Sequence, residues 1–95
     1  MKTQFYILLS LKTAQGFVNY GQYFLGDDRQ IADELFSQLK SGKDFNLPLH
    51  IDLMETVNEL PVQIKTIYCS LEDVGANCKL ITRELFRLKN LEEIT

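Results

Sequence analysis

Ninety-five residues, 45% hydrophobic and 24% charged, suffice for one compact domain spanning 1–95 and are too few for two. That apolar content excludes a disordered tail, and five Gly with two Pro leave no collagen-like or low-complexity stretch. A net charge of -3 runs against nucleic-acid binding, which draws its affinity from phosphate neutralisation; two Cys and one His are too few for a disulfide framework or a closed structural zinc site.

Residues 4–12 alternate with period two, Phe5, Ile7, Leu9 and Leu11 against Tyr6, Leu8, Ser10 and Lys12, which predicts a strand with one buried face. Thr13-Ala14-Gln15-Gly16 reads as a turn with Gly at a positive φ, and residues 17–25 as the second strand of a hairpin. Aromatics fall on both sides of that second strand, so its register stays open, and Gly21 marks a bulge or a close backbone approach. Asp27 with Gln30 has capping-box spacing and opens a helix. Its apolar stripe is Ile31, Ala32, Leu35, Phe36 and Leu39, with Gly42 as the stop.

After a polar connection from Ser41 to Asn46, Leu47, Leu49, Ile51 and Leu53 alternate with Pro48, His50, Asp52 and Met54, predicting a third strand. Thr56 to Leu60 turns the chain, and Pro61 introduces a fourth strand over about 62–69. Ser70 with Asp73 caps a last helix whose stripe is Leu71, Val74, Cys78, Ile81, Leu85 and Leu88, running to about residue 91. The order is strand-strand-helix, twice. The simplest architecture is an α+β fold, ββαββα, with a four-stranded, mostly antiparallel sheet and both helices packed on one face. Such a sheet keeps its other face open unless a partner covers it.

Tyr20-Gly21-Gln22-Tyr23-Phe24 before Asp27-Asp28-Arg29, the run Asp52-Leu53-Met54-Glu55-Thr56, and Asn77-Cys78-Lys79-Leu80-Ile81-Thr82 resemble a family of short uncharacterised bacterial proteins with no assigned activity. The resemblance covers most of the chain. It implies a bacterial cytosolic protein and transfers no catalytic or binding residue.

Candidates for chemistry are few. His50 and Asp52 share the outward side of the third strand, the spacing that lets a carboxylate orient an imidazole base, but the sequence places no nucleophile beside them. Cys69 ends the fourth strand near a helix N-terminus, where a thiolate is stabilised; Cys78 belongs to the helix stripe and reads as a small hydrophobe. Asp27, Asp28, Asp33 and Glu34 lack the alternation of a calcium loop and read as capping and solvated acids. No phosphate-binding, dinucleotide or nucleophile-elbow motif is present. No cofactor or metal is expected. Lys79, Arg83 and Arg87 recur every four residues as a basic stripe on the last helix, read first as a solvated face.

The surplus apolar surface is more informative. Tyr6 and Leu8 fall on the non-core face of the first strand, with Met54 expected beside them from the third and Ile67 from the fourth. The second strand adds either Tyr20 and Phe24 or Phe17, Tyr23 and Leu25. On the last helix Leu80, Phe86, Leu91 and Ile94 lie outside the stripe. Aromatics and Met of this kind are enriched at partner surfaces. The sequence therefore points to a small protein-interaction module, homodimeric or bound to another protein, acting through an apolar sheet face or the end of the last helix, with neither nucleic acid nor membrane as partner. The alternative is a small enzyme or small-molecule-binding domain with its pocket between sheet and helices or at a dimer interface, using His50, Asp52 and Cys69. No segment reaches the ~20 apolar residues that span a bilayer, Lys2 excludes a myristoylation signal, and the expected compartment is the cytoplasm with both thiols reduced.

Overall fold

The structure, a computed structural model, describes residues 3–42 and 47–94, with side chains to residue 89. Its elements are β1 (Thr3–Thr13), β2 (Gly16–Gly26), α1 (Arg29–Ser37), β3 (Leu49–Val57), β4 (Leu60–Cys69) and α2 (Leu71–Ile94). The four strands form one antiparallel sheet in the order β2-β1-β3-β4, so the two hairpins join through their first strands and the ββαββα reading holds.

Turn chemistry sets both hairpins. Gly16 adopts φ 105°, and Thr13 Oγ1 donates to the Gly16 carbonyl at 2.7 Å while accepting the Gln15 N–H. At the second turn Asn58 and Glu59 both take positive φ, 51° and 68°, the pairing whose twist matches the flanking strands. The turn is thus two residues long, tighter than a connection over residues 56–60.

One face of the sheet carries the core. Phe5, Ile7 and Leu9 of β1 pack beside Leu49, Ile51 and Leu53 of β3 and Cys69 of β4, all nearly or fully buried. Ala32, Leu35 and Phe36 of α1 and Ile81 of α2 complete the same cluster, which puts both helices on that face. Leu11, expected inside, is 37% exposed. On α2 the stripe begins at Val74: Leu71, its expected first member, is exposed, and the most deeply buried partner of Ile81 is the polar Asn77.

Asp28, not Asp27, caps α1. Its carboxylate accepts the N–H groups of Gln30 and Ile31, leaving Asp27 outside the helix. The helix also stops at Ser37 rather than at Gly42. The Gln38 and Leu39 N–H groups bond three residues back, to Leu35 and Phe36, tightening the last turn, and the next peptide turns to meet Asn77. Ser70 caps α2 as expected, its Oγ accepting the Asp73 N–H at 3.2 Å.

Three bulges adjust the alternation. In β2 the register shifts between Leu9–Gly21 and Ser10–Asn19, making Tyr20 an extra residue, and again between Phe5–Gly26 and Tyr6–Phe24. In β4 Ile64 is extra, between Leu53–Lys65 and Met54–Gln63. A bulge inserts one residue and reverses which parity faces outward beyond it.

Candidate functional site

The sheet face opposite the helices is the surface that no described element covers. Its side chains follow from the ladder. β1 contributes Tyr6, Leu8, Ser10 and Lys12; β3 places Met54 beside Tyr6, Asp52 beside Leu8 and His50 beside Ser10. β2 brings Phe24 against Tyr6 and Phe17 against Lys12, because the bulge at Tyr20 puts an odd and an even position on the same side. β4 adds Gln63, Thr66 and Tyr68.

Two aromatic groups stand on this face. Tyr6 and Phe24 meet at 5.9 Å between ring centroids. At the other end Phe17 stacks on the His50 imidazole at 3.8 Å, and Tyr68 meets its opposite side edge-on at 4.5 Å. Phe17 therefore reaches across β1 to a residue of β3. Between the aromatic groups lie two hydrogen-bonded pairs: Ser10 Oγ donates to Asn19 Oδ1 at 2.7 Å, and Thr66 Oγ1 donates to Asp52 Oδ1 at 2.6 Å, itself accepting from Gln63. Phe17 and Phe24 stay largely exposed, at 45% and 62%.

Tyr6, Leu8 and Met54 thus lie together where the sequence put them. Ile67 does not: it pairs with Ile51 and packs against the core, sharing the parity of the buried Cys69. Leu80 also packs against the core, in the helix layer, because α2 turns a broader apolar side to the sheet than a single stripe. Phe86 is 69% exposed on α2, remote from the sheet face, and the Leu91 and Ile94 side chains lie outside the described residues.

The catalytic candidates are not brought together. His50 and Asp52 share the open face, but Asp52 is engaged by Thr66 and His50 is held between two rings. Cys69 projects to the opposite face into the core, where burial first and the nearby Asp73 next push its thiol above the ordinary value. A raised thiol at a fully buried position is the reverse of an activated nucleophile. Three of the acids around α1 are occupied structurally: Asp28 caps the helix, Glu34 accepts from Gln30, and Asp33 lies near Arg29 and Lys65, at 3.9 and 3.8 Å.

Tyr68 and Thr66 are face residues that the sequence left unassigned, and of its two alternatives for the second strand one member of each lies on this face, Phe24 and Phe17. Tyr68 was legible in principle, since it alternates with Ile67 and Cys69; the placing of Phe17 and Phe24 on one side was not, because the bulge that does so has no signal beyond Gly21. A second exposed feature lies on α2, an open groove of about 540 Å³ lined by Cys78, Lys79, Thr82, Arg83 and Phe86. No described helix is long and apolar enough to cross a membrane, which leaves membrane-spanning strands unaddressed. Comparison with protein-family models, with curated proteins and with solved structures finds no match.

Proposed function

We propose that this chain is a small cytoplasmic protein-interaction module that works as a homodimer through its open sheet face. The observation that carries the reading is the composition of that face: Tyr6, Leu8, Phe17, Phe24, Met54 and Tyr68 stand together there, and among the described residues Lys12 and Asp52 are its only charged side chains. Aromatic and Met enrichment with depletion of charge marks the centre of protein interfaces. One cation and one anion leave the face neutral in a chain of net charge -3, so two copies meet without repulsion and each Lys12 has a partner Asp52 available across a two-fold axis.

The size fits as well. Eleven residues of β1 and four strands about 4.8 Å apart span roughly 650 Å² per copy, close to the ~800 Å² per partner of standard interfaces. Association by the sheet edges is the poorer route, since β2 carries two bulges and β4 carries one with Pro61, devices that blunt an edge. The free thiols of Cys69 and Cys78 fit a reducing compartment.

The test is the molar mass by light scattering over a hundredfold range of concentration, for the wild type and Phe24→Asp. A wild-type dimer that the substitution converts to a folded monomer, with an unchanged circular dichroism spectrum, supports the reading. A monomer throughout, or a dimer indifferent to Phe24→Asp, overturns it.

A further inference from the structure

The α2 groove differs in character from the sheet face. Its floor is apolar, with Cys78 and Thr82 resting against Tyr23 of β2, whose phenol is raised by burial and by that thiol. Phe86 stands exposed at one end, and Lys79 and Arg83, one turn apart, rise along it. Arg87 is held by Glu84 at 2.9 Å, whereas Arg83 has only a 3.9 Å approach to Glu84 and Lys79 makes no ion pair among the described residues. An apolar trough flanked by two underused cations, on a chain that is acidic overall, is complementary to an acidic and apolar partner.

A second α2 does not fit. An antiparallel pair of α2 helices centred on Thr82 would bring Lys79 and Arg83 of both copies together along one seam, with no acid among the lining residues. The groove follows α2 from Cys78 to Phe86, about 12 Å or just over two turns, which suits a helix laid along it with apolar anchors at i, i+4 and i+7.

We infer that the Cys78–Phe86 groove docks an acidic amphipathic helix of a different protein, its apolar side seated on Phe86 and Cys78 and its carboxylates on Lys79 and Arg83. This surface is separate from the sheet face, so Phe24→Asp leaves its binding unchanged whether or not the chain dimerises.

The experiment is a selection of displayed helical peptides against the whole chain, followed by titration of the enriched peptides. The expected result is enrichment of sequences rich in Asp and Glu with apolar residues four apart. Their affinity falls at least tenfold for Lys79→Glu/Arg83→Glu and for Phe86→Ser, which alter exposed side chains and leave the melting temperature in place. Amide shifts on binding concentrate along α2. No enrichment, enrichment of neutral or basic peptides, equal binding to the variants, or shifts on the sheet face would each overturn the inference. Binding to phosphatidylglycerol vesicles that the same substitutions abolish, without peptide enrichment, overturns it in favour of a lipid surface.

Discussion

Asn77 grips the backbone of Lys40 with both ends of its carboxamide, accepting the Lys40 N–H at 2.7 Å and donating to the Lys40 carbonyl at 2.9 Å. The two residues are 37 positions apart, and the clasp ties the segment after α1 to the inner side of α2. Two residues on, the Gly42 N–H donates to the Tyr68 carbonyl at 2.7 Å, fixing the same segment to β4. Asn77→Ala strips both partners from a peptide held against the core, and the expected loss is about 1–3 kcal/mol. Asn77→Asp keeps the acceptor but buries a charge facing the Lys40 carbonyl, so it costs more than Asn77→Ala. Urea denaturation checks both, with a lowered midpoint and an unchanged slope.

Helix α1 is nine residues long and depends on its cap. Asp28→Ala removes the acceptor for the Gln30 and Ile31 N–H groups and is expected to cost about 1 kcal/mol. Asp27→Ala, one residue earlier and outside the cap, is expected to stay within ~0.5 kcal/mol of wild type. Thermal unfolding of the pair separates the positions; equal losses would assign the cap wrongly.

Glu59 holds a left-handed conformation, φ 68°, at the second position of the β3–β4 turn. Only glycine adopts that region without a Cβ clash, and Asn followed by Gly is the favoured pair for this turn. Glu59→Gly is expected to raise stability by about 0.5–1 kcal/mol, offset in part by the greater freedom of glycine in the unfolded chain. A higher melting temperature with an unchanged circular dichroism spectrum is the outcome to look for.

Alkaline pH acts through three raised groups. Burial holds the Cys69 thiol above its ordinary 9.0 and the Tyr20 and Tyr23 phenols above 10.0, so each stays neutral in the folded chain at a pH where the unfolded chain ionises. Below about pH 9 both states bind these protons equally and stability is unaffected by them. As the pH rises through 9 the unfolded state releases the Cys69 proton first, and stability falls; the tyrosines extend the decline above pH 10. Cys69→Ala, compared with its own value at pH 7, should show a shallower fall between pH 9 and 10.

The order of elements and the inner faces of β1 and β3 were legible in the sequence, because period-two and period-3.6 patterns report directly which side of an element is buried. Phe5, Ile7 and Leu9, Leu49, Ile51 and Leu53, and Ile81 all follow from that pattern alone. The Ser70 cap was legible too, since its hydrogen bond spans three residues. Where the pattern broke, the cause was an interaction from elsewhere in the chain. The expected stop of α1 at Gly42 fails because Asn77 takes the backbone of Lys40, and the expected outward side of Ile67 fails because its parity is fixed by the ladder to Ile51.

For the candidate surface the division is sharper. The sequence by itself determined that aromatic, Leu and Met side chains exceed what one sheet face and two helices bury, because their number and parity are local properties. Only the tertiary structure decided which of them meet. The strand order sets β1 and β3 at the centre, the bulge at Tyr20 turns Phe17 and Phe24 to one side, and the stack of Phe17 on His50 spans two ladders. That stack joins residues 33 positions apart, and no periodicity within a strand encodes it.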